Sequence, residues 1–167
     1  MITCSFQALP HAALSKEEIY NMLIEQIRSF FSEEKDLMAN LANTASLMKI
    51  APLPFFWVGF YIVKGADLVL GPFQGDPATP RISFGEGVCG AAWKERKTQI
   101  VPDVHLFPGH IACSCLSQSE IVVPIFSKQD VVAVLDIDSE NKNDFDQTDA
   151  HFLELLVDII GDKWIGK

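Results

Sequence analysis

The chain has 167 residues, 49% of them hydrophobic and 21% charged, the balance of one globular domain whose core needs no disulfide or metal staple. That composition excludes disordered, collagen-like and coiled-coil architectures for most of its length. Thirteen Lys and Arg against 22 Asp and Glu give a formal charge of −9; such a surface repels phosphate backbones and anionic lipid heads, so neither nucleic acid nor membrane is expected as a partner.

Residues 1–14 contain His11 but no Lys or Arg and lack the basic-then-apolar pattern of a leader. They read as an irregular lead-in to a single domain over 15–167. No apolar run reaches the roughly 18–20 residues that cross a bilayer, and the expected compartment is the cytoplasm. There, cysteines are more often catalytic, metal-binding or simply buried than permanently paired.

Ser15-Lys-Glu-Glu18 is a capping box, followed by Ile19, Met22, Leu23, Ile27, Phe30 and Phe31 at helical spacing. A second cap at Ser32, with Glu33 and Glu34 behind it, predicts another helix to about Ile50, stopped by Pro52 and Pro54. The aromatic and β-branched run Phe55 to Val63 predicts a strand. Lys64 to Asp67 reads as a turn, Leu68 to Leu70 as a returning strand, and Gly71 to Pro80 as a loop. Cys89 to Arg96 predicts a short helix opened by Gly85-Glu-Gly87, and Thr98 to Val101 a short strand. After a long loop, Pro102 to Cys115, two strands (Ile121 to Phe126 and Val131 to Ile137) flank a turn at Ser127 to Asp130. Asp146 then caps a final helix with Phe152, Leu155, Leu156, Ile159 and Ile160 on one face. Tight hairpins predict an α+β domain: an antiparallel sheet with its helices segregated to one side.

The long loop carries His105, His110, Cys113 and Cys115. Three readings stay open on residue chemistry alone. The four side chains offer nitrogen and sulfur ligands for a metal, although Cys-x-Cys is a tight bite and structural zinc sites use two separated pairs. They can be buried cysteines and satisfied histidines in an ordered loop. Or Cys113 and Cys89 form a redox thiol pair, Cys89 gaining from its place near a helix N-terminus. Glu120 opens one strand, and Asp136 and Asp138 lie two apart near the end of the next, so these two share a face. Such acids suit binding an ammonium group or donating a proton from a raised pKa; alternatively they only cap the turn that follows. Trp57 and Tyr61, four apart on the aromatic strand, share a face that is either core or the wall of a pocket for an apolar or sulfur-bearing group.

Seven segments stand in one order: Trp57-Val-Gly-Phe-Tyr61, Leu70-Gly-Pro-Phe-Gln-Gly75, Gly85-Glu-Gly-Val-Cys-Gly90, Val101-Pro-Asp-Val-His105, Phe107-Pro-Gly-His-Ile-Ala-Cys113, Ser119-Glu-Ile-Val-Val-Pro-Ile125 and Val134-Leu-Asp-Ile-Asp-Ser139. In these motifs the chain resembles the free methionine-(R)-sulfoxide reductases, stand-alone GAF-domain enzymes, from about Ser15 to the C-terminus. The resemblance implies a GAF-like antiparallel six-stranded sheet with flanking helices, a possible homodimer, and reduction of free L-methionine (R)-S-oxide. It implies that Cys113 is the catalytic cysteine and Cys89 a resolving one. It implies that Glu120, Asp136 and Asp138 bind substrate and assist proton transfer, and that Trp57 and Tyr61 wall the substrate methyl group.

The further resolving cysteine usual in the family is replaced here by Thr79, while Cys115 stands outside the usual pattern. Cys89 is therefore the first choice of resolving thiol and Cys115 the second, since it is only two residues from Cys113. By the same resemblance, thioredoxin is the external reductant and no bound cofactor or metal is expected. Glu120 or Asp138 is the expected proton donor and Asp136 the expected ammonium partner. The rival reading is a non-enzymatic GAF module that senses a small ligand.

Overall fold

The structure, a computed structural model, describes residues 14–111 and 116–164. Its elements in chain order are α1 (Lys16–Glu33), α2 (Leu37–Ile50), β1 (Trp57–Lys64), β2 (Asp67–Gln74), β3 (Arg81–Ser83), α3 (Gly87–Glu95), β4 (Gln99–Val101), β5 (Ser119–Ser127), β6 (Asp130–Ser139) and α4 (Gln147–Asp162). A 3-10 turn at Val104–Leu106 follows β4. The strands form one six-stranded sheet in the order β3-β2-β1-β6-β5-β4, with every pair antiparallel. The expected α+β class and six-stranded sheet are present. The expected lead-in lies, apart from Leu14, outside the described residues.

The capping box forms: Ser15 Oγ accepts from the Glu18 amide at 3.2 Å, and the Glu18 carboxylate accepts from the Ser15 amide at 2.7 Å. The second cap differs from the sequence expectation. Ser32 remains inside α1, its hydroxyl donating back to the Ser29 carbonyl at 2.8 Å. Asp36 caps α2 instead, accepting from the Ala39 amide at 2.9 Å. Between the helices, the Glu34 carboxylate accepts from the Lys35 and Asp36 amides and holds the chain extended.

β2 also runs further than expected. Gly71 to Gln74 pair with β1 rather than forming a loop. The register slips between Gly59 and Tyr61, so that Gly71 and Pro72 together oppose Phe60. Such an irregularity takes a proline without a lost ladder bond, which is why Gly and Pro here do not end the strand. β3, absent from the sequence expectation, is three residues on the sheet edge, too short to show alternation.

The central strands are buried on both faces. Val58 and Phe60 of β1, Ile121, Val123 and Ile125 of β5, and Ala133, Leu135 and Ile137 of β6 pack under α1, α2 and α4. Trp57, Tyr61, Val122 and Val134 point the other way, under Val88, Cys89 and Ala92 of α3. The expectation of helices on one side is thereby corrected: α3 and the chain after β4 cover the second face. Burial on both faces explains why Val131 to Leu135 reads as a continuous apolar run.

Two contacts fix α4 in place. Asp149 is buried and accepts from Tyr20 Oη and Lys16 Nζ, each at 2.7 Å, tying α4 to α1. At the other end, a Cβ on Gly161 would lie 2.0 Å from the Phe126 carbonyl oxygen, so only glycine permits this approach to β5. Among the described residues no helix is long and apolar enough to cross a membrane. Substituting Gly161→Ala is expected to lower stability in urea denaturation by about 1–3 kcal/mol, the usual cost of overpacking. An unchanged midpoint would show that α4 shifts freely on the sheet.

Candidate active site

Register brings the sequence-selected residues together. Asp138 is the cross-strand partner of both Glu120 and Trp57, and Asp136 that of both Val122 and Gly59. One pair further on, Val134 lies between Pro124 and Tyr61. Residues directly opposite on neighbouring strands share a face, so Glu120, Asp136, Asp138, Trp57 and Tyr61 all look toward α3.

The aromatic wall depends on two glycines. The Trp57 indole lies flat over Gly59, where a Cβ would come within 2.3 Å of Cη2. It reaches Gly75, whose φ of +136° and 2.3 Å approach to Cδ1 both demand glycine. The indole N–H donates to the Asp76 carbonyl at 2.9 Å, and Tyr61 Oη donates to the Thr79 carbonyl at 2.9 Å. Trp57 stacks on Phe73 and on Tyr61, with centroids 5.4 and 6.2 Å apart. The wall thus holds the chain between β2 and β3, and Thr79 takes part through its backbone.

The carboxylates are buried beside that wall. Burial, followed by the charge of Asp138, pushes the Glu120 carboxyl well above the ordinary carboxylate range, against a hydrogen bond with Asp136 that pulls it down. Burial and the charge of Asp136 push Asp138 up in the same way, with the nearby Ser117 hydroxyl opposing the shift. Glu120 Oε2 and Asp138 Oδ2 have no hydrogen-bond partner among the described residues. Both effects favour the neutral acid, a form that can donate a proton.

Cys89 sits, buried, in the first turn of α3. Its sulfur and the carboxylate oxygens of Glu120 and Asp136 lie within 4.8 Å of one another, a spacing at which the three could hold a metal ion. Gly87 (φ +59°) starts α3 and lies against Ile111, so the chain after β4 crosses over this helix end. His110 Nε2 lies 3.3 Å from Glu120 Oε2, with only 14% of its side chain exposed. Burial holds its pKa below the ordinary histidine value.

Of the metal set suggested by spacing, His105 is exposed on the 3-10 turn and His110 turns inward to Glu120. Cys113 and Cys115 lie outside the described residues. The residues flanking them, His110 and Ser117, meet Glu120 and Asp138 respectively. The pairings of His110 and Ser117 were missed in the sequence, because no local periodicity announces a contact between a loop and a strand. A groove of about 460 Å³ between α4 and the β4–β5 edge, lined by Arg96, Thr98, Phe126 and Glu154 among others, carries no cysteine or histidine.

A carboxyl raised above its unfolded value makes the folded state bind more protons than the unfolded one. Stability therefore falls as pH rises from the unfolded carboxylate range through the folded pKa. Glu120→Gln and Asp138→Asn remove that loss. Each variant is expected to gain on the wild type at pH 8 by on the order of 1 kcal/mol per unit of elevation, with the gap closing toward pH 4. Urea denaturation at both pH values checks this, and a wild type more stable than both variants at pH 8 would contradict it.

A GAF domain model matches residues 32–162. The chain is 42% identical over 144 residues to the free methionine-R-sulfoxide reductase of Escherichia coli, covering 86% of this chain and 87% of that protein. It is 41% identical over 162 residues to the enzyme of the same name from Saccharomyces cerevisiae, covering 92% and 90%. The crystal structure of free methionine-R-sulfoxide reductase from Neisseria meningitidis in complex with its substrate superposes with a TM-score of 0.88 at 48% identity, covering 94% of this chain and 95% of that one. On these grounds the chain belongs to the free methionine-R-sulfoxide reductases, oxidoreductases built on a GAF domain.

Proposed function

We propose that the protein reduces free L-methionine (R)-S-oxide to L-methionine, with Cys113 as nucleophile and Cys89 as the resolving thiol. The observation that carries the reading is the row of buried carboxylates between an aromatic wall and a buried thiol. Together with family membership, it supplies each chemical need of the reaction. A sulfoxide oxygen is a poor leaving group until protonated, and Glu120 or Asp138, held neutral by burial and by a neighbouring charge, is the donor. Trp57 and Tyr61 offer an apolar edge to the substrate S-methyl group. Asp136 holds the substrate ammonium.

The last assignment gives a physical reason for free amino acid as substrate. A carboxylate in this buried row needs a compensating charge. The ammonium of a free amino acid supplies it, whereas the amide nitrogen of a residue within a peptide does not.

In the first half-reaction the Cys113 thiolate attacks the sulfoxide sulfur and the carboxyl proton goes to the oxygen. The oxygen is transferred to Cys113 as a sulfenic acid, and methionine leaves. In the second, the Cys89 thiolate attacks the sulfenic sulfur, forming a disulfide and releasing the oxygen as water. An external dithiol, thioredoxin in the family pattern, then reduces the disulfide by exchange. Cys115 is the alternative resolving thiol, because Thr79 occupies the position of the family's usual extra cysteine.

An epimer-resolved assay with free methionine sulfoxide, thioredoxin and its reductase tests the scheme. Cys113→Ser is expected to abolish loss of the R epimer. Cys89→Ser is expected to release about one methionine per chain and then stall as the sulfenic acid. Full turnover by Cys113→Ser would overturn the nucleophile assignment. Continued turnover by Cys89→Ser with stalling of Cys115→Ser would transfer the resolving role to Cys115. Tight binding of the R epimer by the wild type without any turnover would favour a ligand-sensing module.

A further inference from the structure

We infer that Cys89, Glu120, Asp136 and His110 of the reduced protein form a binding site for a zinc-type divalent cation, and that this cation and the substrate exclude one another. The set is a thiol, two carboxylates and an imidazole, the mixed sulfur, oxygen and nitrogen ligation that suits Zn²⁺ and Co²⁺. The thiol and carboxylate ligand atoms already lie within 4.8 Å of one another. Bond lengths of roughly 2.0–2.3 Å around a tetrahedral ion set ligand-to-ligand edges of about 3.3–3.8 Å. The trio closes on an ion by side-chain shifts of about 1 Å; His110 Nε2, 3.3 Å from Glu120 Oε2 but outside the common 4.8 Å spacing of the trio, joins it by a larger movement.

Two further observations point to a cation rather than to a merely acidic cluster. Glu120 Oε2 and Asp138 Oδ2, both buried, lack hydrogen-bond partners among the described residues, and each gains from a positive charge beside it. His110 is the most exposed of the four ligands, 14% against 6% for Glu120, and so is the ligand nearest to solvent. On binding, the thiol and carboxyl protons are released to solvent. A dication then offsets two of the three negative charges left behind, so occupancy strengthens as pH rises. Magnesium and calcium, which require six or more oxygen ligands, do not fit this set.

The cation takes the same carboxylates as the substrate ammonium, hence the exclusion. A disulfide at Cys89 withdraws the sulfur ligand, so the oxidised protein releases the ion. These last two consequences rest on the proposed reductase reading; the ligation itself does not.

The test is anaerobic titration of reduced, chelator-treated, full-length protein with Co²⁺, followed through the thiolate-to-cobalt charge-transfer band. One band per chain is expected, erased by Zn²⁺ but not by Mg²⁺, lost in Cys89→Ser and retained in the Cys113→Ser/Cys115→Ser double variant. His110→Ala, a change at the site's more exposed edge, is expected to weaken Co²⁺ binding by more than the roughly 10–100-fold typical of losing an outer-shell partner. A band that persists in Cys89→Ser, or disappears in the double variant, would overturn the site by assigning the metal to the Cys-x-Cys pair. Excess free methionine sulfoxide, added to the double variant so that no turnover occurs, is expected to raise the apparent Co²⁺ dissociation constant. Ligation through Cys89 without that competition would keep the metal site and overturn mutual exclusion and the substrate placement.

Discussion

The constraint on which the rest of the structure depends is the burial of Glu120, Asp136 and Asp138 in one patch of sheet. Three ionised carboxylates taken out of water cost far more than a small domain can spare. Burial and then a neighbouring aspartate raise Glu120 and Asp138 well above the ordinary carboxylate range, which favours sharing protons over full ionisation of the row. The site therefore enters the reaction with acid already in place, at the expense of stability at neutral pH. That is the usual trade between activity and stability at a functional site.

The fold delivers this patch through register rather than through loops. Two hydrogen-bonded strands set Glu120 opposite Asp138, and the next strand adds Trp57 to the same row. Because the side-chain period of a strand is two, a slip of one residue would exchange this face with the apolar one under α1, α2 and α4. The large core on that side is thus what holds the acids in position. On the open side, α3 brings the Cys89 thiol, and the chain after β4 brings His110 and Ile111. A rigid sheet supplies charge and shape, and the covering helix and loop supply the thiol, imidazole and hydroxyl groups. The same crowding of sulfur, oxygen and nitrogen that suits a sulfoxide also suits a borderline-soft cation.

Much of this was legible in the chain. Ser15 and Glu18 announced the first helix, and the order of hairpins announced an antiparallel sheet. The spacing of Asp136 and Asp138, and of Trp57 and Tyr61, placed each pair on one face. What could not be read was tertiary. Ser32 has the chemistry of a cap but sits in a helix that runs past it, because Asp36 offers a better-placed oxygen to the next helix. Gly71 and Pro72 look like a loop, yet an irregular pairing absorbs them into β2. The contact of His110 with Glu120, ten residues on and in another element, carries no signal in the sequence. Gly59 carries no signal of its own; its role appears only when the Trp57 ring is seen to lie over it.

The central claim is that at least one of Glu120 and Asp138 holds its proton at neutral pH. Difference infrared spectroscopy at pH 7, comparing the wild type with Glu120→Gln and with Asp138→Asn, reads this directly. The account predicts a protonated carboxyl C=O band in the wild type that is lost in at least one of the two variants. A spectrum in which both substitutions remove only ionised carboxylate bands would contradict it.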